Sequence, residues 1–237
     1  MTSAPPIKPF YKDVSLEKIH GRFHLMLDGR NARTKAKNPL SAPTESLGAA
    51  LADEWAAQEK IIDQNAMPLT GILSTAIDGG EEAGEMWRNE ILEYLNSDLV
   101  CYRAETPAAL VDRQAAAWDP YLDFLRDDLG AALISTSGIV AVAQPGIAAE
   151  AVRNALLGAA PETLFALRLA TAITGSAAMA LALWRGAYPA DDVFEASRVD
   201  ERFQEERWGA DEEAKAREAR MRDEFISIGR FFSLMRD

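Results

Sequence analysis

The first forty residues of this chain read as strand and almost everything after Glu82 reads as helix, a division that leaves few folds open. Tyr11 to Leu16 and Arg22 to Leu27 are rich in β-favouring residues. Between Leu27 and Arg30 stands Asp28-Gly29, two residues that both tolerate positive φ and so suit a two-residue hairpin. The opening segment is therefore expected to form a small sheet. Pro39, Ser41 and Pro43 punctuate the chain, and Thr44 to Gln58 then places Leu47, Ala50, Leu51, Glu54 and Trp55 at helical spacings. Ile61-Ile62 is expected to return as a strand. Asp78-Gly79-Gly80-Glu81-Glu82 combines flexible backbone with charge and is the expected domain boundary. The expected fold class is α+β: a β-rich N-terminal domain, residues 1–80, followed by a larger and mostly helical domain, residues 81–237.

In the second part, Glu82 to Asn96 brings Met86, Ile91, Leu92 and Leu95 near one another on a helix. Leu99 to Tyr102 reads as extended. Ala108 to Leu129 is helical, with a break or kink expected at Asp119-Pro120, because proline removes a backbone donor. Leu133 to Val142 is expected to form an extended pair around Ser137-Gly138. Helices then follow over Ile147 to Leu157, over Pro161 to Thr174 with proline in the first turn, and over the small-residue stretch Gly175 to Trp184. Pro189 opens another, with Asp191 and Asp192 where the helix dipole favours negative charge, and Asp211 is placed to cap the last. Glu213 with Arg217 and Glu218 with Arg222 are expected as i,i+4 ion pairs.

The balance of charge limits the partners. Twenty-five basic residues against 37 acidic ones give a formal charge of -12, which repels phosphate backbones and anionic lipid headgroups, so nucleic acid is not an expected partner. Leu169 to Trp184 is the most membrane-like stretch. It is too short for a bilayer core of roughly 20 apolar residues, and it reads as a buried helix, so no membrane insertion is expected. The N-terminus lacks both the apolar core of a secretory signal and the Arg-rich pattern of a transit peptide, and the single cysteine, Cys101, fits a reducing compartment. A soluble, cytoplasmic protein is the expectation.

Catalytic equipment is sparse. His20 and His24, the only histidines, would share one face of a strand, but no third metal ligand accompanies them. Cys101 lies between Val100 and Tyr102, an apolar setting that keeps a thiol protonated. No phosphate-binding glycine loop or nucleophile elbow appears. The segment Val193 to Gly209 is more telling. Read as one helix, it aligns Val193, Ala196, Val199 and Phe203 in a stripe, with Asp200 at its edge and Arg198, Glu201 and Glu205 on the solvated face. A carboxylate at such an edge needs a partner, either an arginine on a neighbouring helix or a donor on another protein.

Three phrases complete the reading. They are Met67-Pro68-Leu69-Thr70 with Ala76-Ile77-Asp78; Asp98-Leu99-Val100-Cys101-Tyr102-Arg103 with Gln114 and Trp118-Asp119-Pro120; and Asp200-Glu201-Arg202-Phe203-Gln204, continuing through Glu205 to Trp208-Gly209, Asp211, Glu213 and Ala214. In this order and spacing the chain, from about Lys12 onward, resembles the chaperone family that binds the alpha subunit of the F-type ATP synthase head, in a bacterial form. The resemblance implies a β-rich N-terminal and a helical C-terminal domain. It also implies a protein that is not an enzyme and needs no cofactor: it shields unassembled alpha subunit until beta arrives. The partner-binding residues implied are Asp200, Glu201, Gln204, Glu205, Trp208 and Gly209. The family more often carries Glu where this chain has Asp200, so Asp200 and Glu201 both stand as the functional acid. Two other readings remain. One is an enzyme with an inter-domain pocket using carboxylates with His20 or His24. The other is a helical adaptor contacting its partner through the helix after Asp211, in which Phe225, Ile228, Phe231, Phe232 and Leu234 serve as contact surface rather than core.

Overall fold

The computed structural model describes residues 7–138, 140, 142–209 and 211–236. Strands β1 (Val14–Ile19) and β2 (Arg22–Leu27) pair antiparallel, with Val14 opposite Leu27 and Ile19 opposite Arg22. β2 pairs on its other side with β3 (Arg30–Asn31) and then with β4 (Ser41–Ala42). Asp28-Gly29 makes the expected tight turn, both residues at positive φ. A second such turn, His20-Gly21, joins β1 to β2. The first strand therefore lies three residues later than its β-favouring residues indicated, and His20 sits in the turn rather than on a strand face with His24.

Helix α1 (Glu45–Ala56) starts on Thr44, whose hydroxyl accepts the Leu47 N–H. It lies so close to the sheet that a Cβ on Gly48 would stand 3.1 Å from that of Phe23. The expected strand at Ile61-Ile62 is absent: this stretch is an irregular link, with the Ile62 N–H bonded to the Ile7 carbonyl. Two isoleucines without a pairing neighbour gain nothing from β geometry. Helix α2 (Pro68–Tyr94) follows with proline at its first position, and the Glu54 carboxylate of α1 accepts the next two N–H groups, those of Leu69 and Thr70.

The stretch 78–82 is not a loop. Two helical pieces of α2 meet at Gly80, whose φ of 59° and ψ of -159° suit glycine alone. Asp78, just before this bend, accepts hydrogen bonds from Thr34, Ala36 and Asn38 and so ties the helix to the loop after β3. Gly80→Ala is expected to destabilise by about 1–3 kcal/mol. Gly71→Ala, in open space on the same helix, is expected to stabilise by up to about 1 kcal/mol. Thermal melts of the two variants should move in opposite directions.

Beyond α2, a 3-10 turn over Leu99–Cys101 leads into β5 (Tyr102–Arg103). Helix α3 (Ala108–Leu129) then continues through Pro120, so of the expected break or kink the break does not occur. The buried face of α3, with Gln114, Trp118, Tyr121, Phe124 and Leu125, holds both sides of the proline to the core. The expected extended pair around Ser137-Gly138 is replaced by β6 (Thr136–Ser137), which pairs in parallel with β5; Ile139 and Ala141 lie outside the described residues.

The remaining elements are α4 (Gly146–Ala155), α5 (Pro161–Thr174), α6 (Ala177–Arg185), α7 (Ala190–Ala196), α8 (Val199–Trp208) and α9 (Glu212–Arg236). α5 packs along α2 and against α6 and α9, and α6 is buried along most of its length. One core runs from Leu25 in the sheet and Leu40 just before β4, through Leu73, Ile91 and Leu167, to Phe231. Arg22 of β2 reaches α5, bonding Glu162 at 2.8 Å. Phe225, Ile228, Phe231 and Phe232 are buried, so this cluster is core and not the contact surface of an adaptor. Neither expected i,i+4 pair forms among the described residues. Glu218 bonds Arg202 of α8 and Arg222 bonds Asp191 of α7, since a carboxylate or guanidinium that joins two helices is better held than one on a single exposed face. Among the described residues no helix is long and apolar enough to cross a membrane.

Candidate functional site

The chain breaks between α7 and α8, where the wheel of Val193 to Gly209 assumed one helix. Ser197 closes α7 by donating its hydroxyl to the Phe194 carbonyl, and Arg198 leaves helical geometry. Val193 and Ala196 thus belong to one helix, Val199 and Phe203 to the next. Arg198 is not on a solvated face. Its guanidinium donates to the Ile173 carbonyl near the end of α5 at 3.0 Å and to Glu201 at 3.0 Å. A cation there complements the negative end of the α5 dipole.

Phe203 is the one buried residue of α8, and its ring lies 5.3 Å from the Arg113 guanidinium and 4.1 Å from that of Arg207. Gln114 on α3 is buried with both ends of its amide in use. Its oxygen accepts from the Ala104 N–H at 2.7 Å and its nitrogen donates to Asp200 at 2.7 Å. The partner that Asp200 needed is therefore an amide, not an arginine. Beside it, the Trp118 indole donates to the Ala196 carbonyl at 2.8 Å, and Arg103 stacks on Trp118 while bonding Asp119 at 2.8 Å. Residues of the second and third sequence phrases meet here, about eighty positions apart in the chain.

Asp200, Glu201 and Gln204 line an open cleft of about 970 Å³ between the end of α5, the start of α8 and α9. Leu169 and Ile173 give it apolar surface, and Arg217, Arg220, Met221 and Glu224 of α9 stand on the other side. The other proposed contact residues lie elsewhere. Glu205 is held by Arg202, which also bonds Glu195 and Glu218 and so clamps α7, α8 and α9 together. Trp208 is 78% exposed in the last turn of α8, and Gly209, at a φ of 82°, ends that helix. Sequence reasoning missed the arginines of α9, because nothing in their spacing marks them as facing α8.

The carboxylate that burial perturbs most is sealed away from this cleft. Asp98 is fully buried, and loss of solvent pushes its carboxyl up to about 6. It accepts the N–H groups of Val100 and Ala178 and so joins the 3-10 turn to the start of α6. Burial, with the Asp98 charge second, pushes the Cys101 thiol up to about 12. His24 bonds Asn31, and among the described residues no group of three or more His, Cys, Asp or Glu is placed to hold a metal ion.

A small antiparallel sheet is thus carried on a helical body with an open, mixed-charge cleft. The family profile described as ATP12 chaperone protein matches residues 8–126. The chain is 24% identical over 222 residues to the mitochondrial protein atp12 of Schizosaccharomyces pombe, covering 89% of this chain and 76% of that one. Its fold superposes on the crystal structure of Atp12 from Paracoccus denitrificans with a TM-score of 0.92 at 37% identity, covering 97% of this chain and 98% of the other. A variant of that protein with one aspartate changed to lysine gives the same values. The chain belongs to the ATP12 chaperone family, a family of ATP synthase assembly.

Proposed function

We propose that the protein holds the unassembled alpha subunit of the F-type ATP synthase through the cleft between α5, α8 and α9, releasing it to the beta subunit, and that it does so without catalysis. The observation that carries this reading is the placing of Asp200, Glu201 and Gln204, from the third family phrase, together at an open cleft with an apolar base. An alpha subunit without its neighbour exposes apolar surface that invites aggregation. A cleft of mixed polarity can cover such a surface and let it go. The two acids differ in standing. Asp200 is half-buried and engaged by Gln114, whereas Glu201 is more exposed and bonded to Arg198.

Purified chain is expected to co-elute with tagged alpha subunit, to suppress its aggregation, and to ignore beta. Glu201→Lys is expected to weaken the alpha complex about tenfold or more with the melting temperature unchanged, whereas Asp200→Lys would also disturb Gln114. Asp200→Asn, which keeps an acceptor for that amide, separates fold from contact. Absence of any alpha complex would end this reading, and unchanged binding by both the Glu201→Lys and Asp200→Asn variants would move the contact off α8.

A further inference from the structure

The net charge of the chain conceals a sharp division. Residues 7–42, which include the sheet, carry eight basic and three acidic side chains, whereas the rest of the chain carries 17 basic and 34 acidic ones. The sheet and its loops are therefore cationic in a chain whose remainder is anionic on balance. A recess of about 540 Å³ opens there, between the segment before β1, the β2–β3 turn and α1. Arg30 and Arg33 stand at it with Phe10, Tyr11 and Trp55. Phe10 is 69% exposed and meets Tyr11 edge-on at 5.4 Å between ring centroids, and Tyr11 in turn lies 5.6 Å from Trp55. The Trp55 indole N–H is buried and finds no acceptor among the described residues. Two further exposed apolar side chains, Ile7 and Ile61, belong to segments joined by the bond from the Ile62 N–H to the Ile7 carbonyl. The recess does contain one acid, Asp28. Its carboxylate is already engaged by the N–H groups of Lys12 and Asp13, both at 2.9 Å, which hold it below the usual carboxylate range.

We infer that this recess is a second protein-binding site, for an acidic peptide segment bearing an aromatic or aliphatic side chain. The rings take the apolar side chain, and the two guanidiniums take flanking carboxylates, the geometry to which Arg is best suited. Charge complementarity selects the occupant, because an acidic segment is attracted to this cationic part and repelled by the net negative charge of the rest of the chain. Concavity favours a peptide over a bilayer, against which a recess of this depth would stay empty. The site shares no lining residue with the α8 cleft, and the inference stands whether or not the alpha subunit is the client.

The test uses the full chain and a fluorescein-labelled synthetic peptide of alternating Glu and Asp around one central Phe, followed by fluorescence anisotropy. Saturable micromolar binding is expected at low salt, falling as salt screens the arginines. Replacing Arg30 and Arg33 together by Glu is expected to cost about tenfold or more in affinity. Replacing both by Lys should lose less, and Arg217→Glu with Arg220→Glu in the other cleft should lose nothing. Circular dichroism of each variant checks the fold, and the Lys pair keeps the test valid if the Glu pair fails to fold. No saturable peptide binding, or equal loss from the Arg217 and Arg220 variants, overturns the inference. So does sedimentation with phosphatidylglycerol vesicles that depends on Arg30 and Arg33 while the peptide fails to compete, since that result assigns the face to a lipid surface.

Discussion

Phe231→Ala is expected to destabilise the protein by about 3–5 kcal/mol, the range for removing a fully buried phenylalanine. The ring has no exposed surface and lies in the core shared by α9, the sheet and the helical body. Around it α9 fits too closely for the cavity to collapse easily: a Cβ on Gly229 would come within 2.6 Å of that of Ala190, and Phe225 already packs on Phe194 at 5.8 Å between centroids. At roughly 2–4 °C per kcal/mol for a chain of this length, the melting temperature should fall by about 6–20 °C. Trp208→Ala, which removes a larger ring from an exposed position, should leave it almost unchanged. Equal melting temperatures for Phe231→Ala and the parent would show that α9 is not structural. Client binding measured below the melting point of the Phe231 variant should persist, because the side chain lines neither the α8 cleft nor the recess beside the sheet.

Elements dictated by local chemistry were legible from the sequence. Pro161 to Thr174 is bounded by proline at one end and a left-handed glycine at the other, and the helix fills that span. The Asp28-Gly29 turn likewise needed no tertiary information. Elements decided by what lies across the core were not. Pro120 stays within a helix because residues on both sides of it are buried, and Val193 to Gly209 breaks in two because Ser197 and Arg198 find partners in Phe194 and Ile173. A helical wheel contains neither fact. The same holds for the candidate site. The acids of α8 stood out as a phrase, but their amide partner lies 86 positions away, and the arginines across the cleft lie on a helix that the wheel could not orient. The cationic recess was hidden for a different reason: its charges are scattered singly along strands and turns, so no run betrays them, and only folding gathers them at one face.

Asp98→Ala is expected to be nearly as damaging as the loss of Phe231, and by another mechanism. The carboxylate accepts two buried backbone N–H groups, those of Val100 at 3.2 Å and Ala178 at 3.0 Å. Alanine leaves both without an acceptor, at about 1–3 kcal/mol each. The native arrangement is itself a compromise, since burial raises the carboxyl from 3.8 to about 6. The folded state then binds a proton more tightly than the unfolded state does. The associated stabilisation is fully present below about pH 4 and is lost as pH rises through about 6, at most roughly 3 kcal/mol at 1.36 kcal/mol per unit. Asp98→Asn keeps one acceptor and does not titrate, so its stability relative to the parent should improve between pH 4 and pH 7. Urea midpoints at those two values measure this, and a parent–variant difference that does not change with pH would show that Asp98 is ionised in both states. Asp98, Val100 and Cys101 are all sealed from solvent. Asp98 therefore reaches the α8 cleft only indirectly, through the turn and the start of α6 that it joins, whereas Leu99 and Trp118 of the same phrase line the cleft and Gln114 bonds Asp200. A client-binding defect in an Asp98 variant should recover at temperatures and pH values where that variant is folded.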